Sequence, residues 1–312
     1  MGVTAEDLTR IDAAEVPATL VAAATYAVTV DLAGTIVRTS FNDLEAAEIY
    51  RDRYRHMLSE RPVQRKAYAV AHCPDEIYFW LEGGAAYRWD RSGLKPHAIA
   101  FFADAMVTTG IFTSTDDLIA IHASVVCDER AAAAILGCST AGKTTTAVAC
   151  ARRGLSVLSD EHCVVTSGNV RAFPRALNLR CDSIRLLAGD PAPPSPLDRW
   201  LETHGRCSGN DHPFDELFGA PLPPAPKPLR VVFALVGTAP HPSIQQISAA
   251  AMLDRAKSGV RMKPQGFKAL QALFALLQGI ECYDLVKGTP DETARIIARV
   301  LSASSREMSS VA

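Results

Sequence analysis

The feature that most constrains the fold is a short segment of small residues that ends in a lysine and a threonine. Residues 137–144 read Gly-Cys-Ser-Thr-Ala-Gly-Lys-Thr, which matches the spacing GxxxxGK[ST]. The apolar run at 131–136 predicts a buried strand before it, and the pattern at 143–153 predicts a helix that Gly154 terminates. A strand, a glycine turn and a helix in this order predict an α/β core in which main-chain amides face into the turn.

Each part of this segment suits a phosphate group for its own reason. Gly137 and Gly142 let the main chain approach an anion where a side chain would collide. The Lys143 ammonium is expected to reach the β and γ phosphates, and the Thr144 hydroxyl is expected to bind Mg²⁺. ATP and Mg²⁺ are therefore the predicted cofactors. The predicted nucleotide-binding residues are Gly137, Cys138, Ser139, Thr140, Ala141, Gly142, Lys143, Thr144 and Thr145.

An acidic pair follows the next predicted strand. Asp160 and Glu161 come directly after 156–159, a short segment with an apolar centre. In most proteins with this loop the second acid linked to magnesium lies on a more distant strand, whereas here it belongs to the very next one. Asp160 and Glu161 are therefore predicted to lie beside the terminal phosphate. They are candidate magnesium ligands together with Thr144, and either one is a candidate base for the acceptor hydroxyl.

The composition indicates a protein with a sizeable core and disfavours a nucleic-acid partner. The 312 residues are 48% hydrophobic and 21% charged, with 32 Lys plus Arg against 34 Asp plus Glu. This balance, without a basic stripe, lacks the positive surface that binds a polyanion. The uncharged stretch 16–30 is too short to cross a bilayer, and residues 1–10 lack the basic start of a signal peptide.

The cysteines are expected to be reduced. The eight cysteines are scattered, with no CxxC pair and no zinc-like cluster with histidine. We interpret them as small apolar core residues and expect a cytoplasmic protein with no membrane partner.

Changes in sequence pattern divide the chain at about residue 112. Residues 1–112 predict a smaller mixed α/β region, with one or two strands around Gly34, a helix at 43–60, a hairpin around Gly83-Gly84 and a helix at 96–108. Residues 113–312 predict the domain that carries the loop. Its predicted strands are 118–127, 131–136, 156–159, 163–166, 170–173, 229–236 and 283–286, and its predicted helices are 143–153, 267–277 and 291–301.

A proline-rich segment interrupts the second region. Ten of the 19 prolines fall between residues 191 and 228, which predicts a long excursion without helix or central strand. This excursion and residues 1–112 are the expected places for acceptor recognition, on the basis of location alone.

Four short runs together resemble a known kinase family. They are Ile121-His122-Ala123-Ser124, the loop with Ser139 ahead of Gly142-Lys143-Thr144, Arg153-Gly154, and Ser159-Asp160-Glu161. They resemble HPr kinase/phosphorylase and, more closely, the HPr-kinase-like proteins encoded beside peptide-maturation genes such as lasso peptide clusters. The resemblance covers 118–180 well and the rest of the core loosely.

The resemblance implies a fold, an activity and a set of residue roles. It implies a P-loop kinase core with a mixed sheet, related to phosphoenolpyruvate carboxykinase, that transfers the γ-phosphoryl group of ATP to a serine hydroxyl of a peptide or small protein. Lys143 and Thr144 take the phosphate and magnesium roles, and Asp160 and Glu161 match the family's acidic pair. His122 matches a histidine near the phosphates. Separately, Arg175 follows a predicted hairpin and is a candidate for stabilising charge on the transferring group.

The sequence also departs from that family. The usual Asp-Asp pair is Asp160-Glu161, and Thr140 stands where the family has glycine. Residues 173–180 replace the family's long signature after the acidic pair, which argues against phosphorylase activity and against HPr as the substrate.

Two other functions stay open at this point. One is a carboxykinase-like enzyme on a small organic acid, which would need a second metal site. His204 and His212, near Asp211, are the nearest candidates, but their proline-rich surroundings predict a loop. The other is a non-catalytic ATP sensor that holds a partner. The oligomeric state is open as well, and a homo-oligomer is compatible with the sequence.

Overall fold

The computed structural model describes residues 8–63, 66–82, 84–90, 93–188, 211–212, 217, 225–262 and 266–307. The chain divides into two compact units, Met1–Ile111 and Phe112–Ala312. Most of the proline-rich segment lies outside the described residues, as do Gly83 of the predicted hairpin turn and His204.

In the described part of the first unit, six strands form one mixed sheet in the order β1-β6-β5-β4-β3-β2. Only β3 and β4 pair in parallel; the other neighbours are antiparallel. The strands are β1 (Thr9–Ile11), β2 (Tyr26–Leu32), β3 (Thr35–Phe41), β4 (Lys66–Cys73), β5 (Glu76–Leu81) and β6 (Ala86–Asp90), and the helices are α1 (Ala18–Ala23), α2 (Leu44–Arg53) and α3 (Pro96–Phe112). The helix predicted at 43–60 ends early, because Tyr54 leaves the helical backbone and Leu58 bridges to Val30.

The second unit contains a larger mixed sheet covered by helices. Ten of its described strands join this sheet, and β13 and β14 pair separately. The strands are β7 (Leu118–His122), β8 (Ser124–Cys127), β9 (Ala132–Leu136), β10 (Ser156–Ser159), β11 (His162–Thr166), β12 (Asn169–Arg171), β13 (Leu177–Asn178), β14 (Asp211–His212), β15 (Lys227–Thr238), β16 (Ser243–Gln246), β17 (Val260–Met262) and β18 (Glu281–Lys287). The helices are α4 (Lys143–Arg152), α5 (Cys181–Ala188), α6 (Ala249–Ala256), α7 (Phe267–Leu277) and α8 (Pro290–Glu307). The expected mixed α/β class is confirmed.

The centre of this sheet is parallel and buried on both faces. β9 pairs in parallel with β15, and β15 pairs in parallel with β18. Alternate side chains enter two separate cores, so that Ile135 and Phe233 pack on one face while Ala134 and Val232 pack on the other. This explains why β9 and β15 read as continuous apolar runs in the sequence.

The single strand predicted at 118–127 is wrong, because the chain changes partners at Ala123. β7 pairs with β11 and β17, whereas β8 pairs with β9 and β10. The Ala123 N–H donates to the main-chain oxygen of Glu161 at 3.2 Å, which satisfies the backbone at the break. The break therefore brings 122–124 alongside the acidic pair.

Several other details differ from the sequence expectations. Asp211 and His212 form the short strand β14 instead of the predicted loop. Pairing with β13 satisfies the backbone hydrogen bonds of these residues. The short elements α5, α6, β16 and β17 were not predicted. Cys181 is disulfide-bonded, so the expectation of reduced cysteines is wrong at that position. In the described part of the chain, no helix is long and apolar enough to span a membrane.

Candidate functional site

The glycine loop leaves the sheet at the edge where the parallel strands end. It joins β9 to α4, and the ends of β15 and β18 lie on the same side because these strands run in parallel. In open α/β sheets, ligands bind outside this carboxyl edge, near loops that precede helices. The position of the loop therefore agrees with a binding role.

Both glycines of the loop are required by its geometry. A Cβ on Gly137 would lie 2.8 Å from the Ala141 Cβ, so only glycine fits there without a shift. Gly142 has φ of +94° and caps α4, which is backbone that residues with a side chain rarely adopt. Thr140 also has positive φ, at +68°. A β-branched residue is strained in this conformation, and such strain concentrates at functional sites.

Lys143 reaches back over the loop from the first turn of α4. Its ammonium donates to the main-chain oxygens of Gly137 at 2.9 Å and Cys138 at 3.2 Å. The side chain is buried, and burial lowers its pKa, while the nearby charges of Asp160 and Glu161 act in the opposite direction. The ammonium thus lies at the loop within the field of the acidic pair.

Asp160 is held by two hydroxyl groups from different elements. The Thr144 hydroxyl donates to Oδ2 at 3.1 Å, and the Ser124 hydroxyl donates to Oδ1 at 2.9 Å. Only 5% of Asp160 is exposed, and burial, with the Glu161 charge, raises the pKa of its carboxyl group to about 6. The two hydroxyls and Arg175 partly offset this rise. Ionised Asp160 is therefore costly in the absence of a cation.

Glu161 has the opposite environment. Its carboxylate accepts from the Arg175 guanidinium at 2.9 Å, and that cation is the main cause of a pKa lowered to about 2. The Nδ1 of His122 lies 3.1 Å from the main-chain oxygen of Glu161. Because a carbonyl only accepts, Nδ1 carries the proton, and burial lowers the pKa of the ring so that it is neutral. Nε2 is then an acceptor.

The structure thus brings together the predicted residues His122, Lys143, Thr144, Asp160 and Glu161, with Arg175 beside them. Cys138, Ser139 and Thr140 are exposed along the loop, and Ala141 is partly buried. The Thr145 hydroxyl instead donates to the Ser183 hydroxyl of α5 at 2.8 Å, which braces the helix.

Two residues at this site were not identified from the sequence. Ser124 lay in a run used for the family resemblance, but nothing in the spacing indicated its bond to Asp160. Lys287, the last residue of β18, donates to the main-chain oxygen of Ala141. No motif marks Lys287, since its place depends on the pairing of β18 with β15.

The site offers the ligands that magnesium prefers. The Thr144 hydroxyl and the Asp160 carboxylate place two oxygen atoms beside the loop. Mg²⁺ is typically held by one or two protein oxygens together with substrate phosphates and water. The described residues contain no group of three or more His, Cys, Asp or Glu side chains arranged for a metal. The residues present therefore fit a magnesium ion that is coordinated by the protein and by a phosphate together.

No protein-family profile matches the chain. No curated protein sequence matches it either. Among solved structures, it is similar to the HPr(Ser) kinase/phosphatase from Coxiella burnetii, with 12% sequence identity and a TM-score of 0.27. That similarity covers 61% of this chain and 92% of the other, and at this TM-score it does not support an argument from fold.

Proposed function

We propose that this chain is an ATP-dependent kinase that transfers the γ-phosphoryl group of Mg·ATP to a serine hydroxyl of a peptide or small protein. One contact carries the proposal: the Thr144 hydroxyl, from the loop motif, donates to the Asp160 carboxylate at the end of the next strand. In a P-loop site these would be the two magnesium-linked groups, and here they lie beside the Lys143 ammonium. The sequence resemblance to HPr-kinase-like proteins supports the same core and the same reaction class.

The binding step follows from the loop. Main-chain amides at 137–144 and the start of α4 hold the phosphates, and Lys143 adds a positive charge. Thr144 and Asp160 would hold Mg²⁺, which neutralises charge on the β and γ phosphates when bound. Thr140 has positive φ in this loop, and backbone strain of this kind is frequent at ligand-binding sites.

The transfer step assigns different tasks to the two acids. The acceptor oxygen forms a bond to the γ-phosphorus as the bond to the β-phosphate oxygen breaks, and ADP leaves. The acceptor proton passes to a carboxylate. In the site without metal, Asp160, with its pKa raised to about 6, is a stronger base than Glu161, and a bound Mg²⁺ would lower the pKa of Asp160. Glu161 holds Arg175 at the site, where the guanidinium is available to developing negative charge. His122 is neutral, and its Nε2 is an alternative hydrogen-bond acceptor for the serine hydroxyl before transfer.

The direct test separates binding from transfer. Lys143→Met should weaken Mg·ATP binding, measured by calorimetric titration, because it removes the ammonium from the loop. Asp160→Asn should retain ATP affinity and lower turnover by about 10²- to 10⁴-fold, as loss of a positioned acid or base does. Lys257→Met is the control, since Lys257 is an exposed lysine paired with Asp254. Unchanged ATP affinity in Lys143→Met would contradict the proposal.

The acceptor requires a separate experiment. Incubating the protein with γ-labelled ATP and a lysate of its source should give a labelled phosphoserine that is absent with Asp160→Asn. Turnover that depends only on a small organic acid would instead favour the carboxykinase-like function. ATP binding without turnover in the parent protein, with a partner response that survives Asp160→Asn, would favour the sensor.

A further inference from the structure

A second lysine, at the carboxyl end of β18, lies against the glycine loop. Lys287 ends β18, where it pairs with Thr238 of β15. Its ammonium donates to the main-chain oxygen of Ala141. A Cβ on Gly142 would lie 2.8 Å from the same nitrogen, so the ammonium occupies the space that this glycine leaves open.

The charge of Lys287 has no anionic partner in the part of the chain that the structure describes. Its side chain is partly buried, and burial lowers its pKa. Among the described residues, Cys138 acts against this shift and no carboxylate does. By contrast, Asp284 on the same strand is paired with Arg255 at 2.9 Å. Burying an ammonium without an anion costs free energy, and a bound anion would offset that cost.

The two lysines form hydrogen bonds with different halves of the loop. Lys143 donates to the main-chain oxygens of Gly137 and Cys138 in the first half, and Lys287 donates to that of Ala141 in the second half. An ammonium has three donors, and Lys287 uses one of them within the described residues. Its remaining donors are available to an anion at the loop.

We propose that Lys287 is a second phosphate-binding lysine, which contacts the polyphosphate of the nucleotide from the side opposite Lys143. The proposal rests on the proposed function, since it assigns a further residue to the same site. Two ammonium groups would neutralise more of the triphosphate charge than Lys143 alone, and would favour triphosphates and diphosphates over monophosphates. In the absence of nucleotide, the contact with Ala141 keeps the ammonium in place.

The test compares three lysine variants with inorganic triphosphate, ATP and AMP as probes. Lys287→Met should weaken ATP and triphosphate binding by about ten- to a hundredfold, as expected for loss of a hydrogen bond from a charged group. AMP binding should change much less. The dependence of ATP affinity on salt should also become shallower, because one charge contact with phosphate is lost. Lys257→Met should match the parent protein in all of these measurements.

The outcomes separate this inference from the proposed function. If neither the parent nor Lys257→Met binds ATP, the proposed function fails. If Lys143→Met weakens ATP binding while Lys287→Met leaves it unchanged, the inference is overturned and the proposed function stands. An unchanged salt dependence in Lys287→Met, with a lower unfolding temperature in the absence of ligand, would make Lys287 a structural clasp and would also overturn it.

A measurement on the unmodified protein covers the case in which Lys287→Met does not fold. Mg·ATP should protect Lys287 from an amine-acylating reagent more strongly than it protects Lys257, as read by mass spectrometry. Equal reactivity of Lys287 with and without saturating Mg·ATP would overturn the proposal.

Discussion

At the scale of single residues, the site contains a buried carboxyl group, that of Asp160, which the packing of the sheet does not require. The Asp160 carboxylate accepts hydrogen bonds from the hydroxyl groups of Ser124 and Thr144. Its pKa is nevertheless raised to about 6. Two hydroxyl donors do not replace the water that an ionised carboxylate loses on burial. The ionised carboxylate of Asp160 would therefore be stabilised by a bound cation, and a perturbed pKa of this kind is a frequent property of functional sites.

This leads to a prediction about pH. In protein freed of metal and nucleotide, Asp160→Asn should increase stability at pH 7 to 8, by up to about 3 kcal/mol. The pKa of Asp160 is raised on folding from 3.8 to about 6, so the parent binds more protons when folded. The contribution of Asp160 to the free energy of unfolding of the parent protein is therefore fully present below about pH 4. It is lost as the pH rises to about 6.

The measurement is denaturant unfolding of both proteins in chelator at pH values from 4 to 8. The gain from Asp160→Asn should disappear towards pH 4, because Asp160 is then protonated in both states. Glu161, whose pKa is lowered to about 2, is present in both proteins and cancels in the comparison. A stability difference that does not vary with pH would refute this account of Asp160.

At the scale of elements, the strand, loop and helix work as one unit because the loop geometry is fixed at both ends. Gly137 is packed against Ala141, and Gly142 begins α4 in the left-handed conformation. The side chain of Thr145 ties α4 to α5 through Ser183. The amides at the start of α4 therefore stay exposed to a ligand without a large rearrangement of the main chain.

A glycine substitution tests this geometry. Gly142→Ala should weaken Mg·ATP binding and lower stability, because the new Cβ adds left-handed strain and meets the Lys287 nitrogen at 2.8 Å. Gly168→Ala is the matched control, since Gly168 has φ of +74° but nothing within 4 Å of a built Cβ. Both variants carry strain of about 1 kcal/mol or more. Only Gly142→Ala should lose nucleotide affinity in a calorimetric titration, and equal losses would argue against the loop assignment.

At the scale of the whole molecule, the candidate site belongs to one of the two units. Among the described residues, those that form the side-chain hydrogen bonds of the loop, Lys143, Thr144, Asp160 and Lys287, lie in Phe112–Ala312. The unit Met1–Ile111 has its own sheet and its own aromatic core, which includes Phe41, Tyr50 and Phe102. Its expected part in acceptor recognition stays a prediction.

Hydrogen exchange can map the binding to one unit. Saturating Mg·ATP should slow amide hydrogen exchange at 137–146, 158–161 and 285–289. The reason is that the bound ligand stabilises the folded state in which these amides are protected from exchange. Amides of β2–β5 in the first unit should exchange at the same rate with and without ligand. Lys143→Met should show little change on adding the same concentration of ATP. Protection centred in the first unit would show that the nucleotide binds elsewhere.

Much of the fold was predictable where the determinants are local. The antiparallel pair β5 and β6, the strand–loop–helix of β9 and α4, and helix α7 all follow from patterns within about 20 residues. The acidic pair could be predicted beside the loop because β10 is the next strand in the chain. The elements missed were short ones, such as β17 with three residues and α6 with eight, which give few positions over which a pattern can be recognised.

What only the tertiary structure decided is the set of partners that reach the site from a distance. Lys287 lies 146 residues from Ala141 along the chain, and the two meet because β18 pairs with β15 and β15 with β9. The break at Ala123 likewise depends on β7 and β8 joining different strands. By itself the sequence determined the loop, its two glycines, its lysine and the acid that follows, because these depend on backbone conformation over a few residues. Strand order and burial are cooperative properties of the whole sheet, so the environments of Asp160 and Lys287 became visible only in the folded chain.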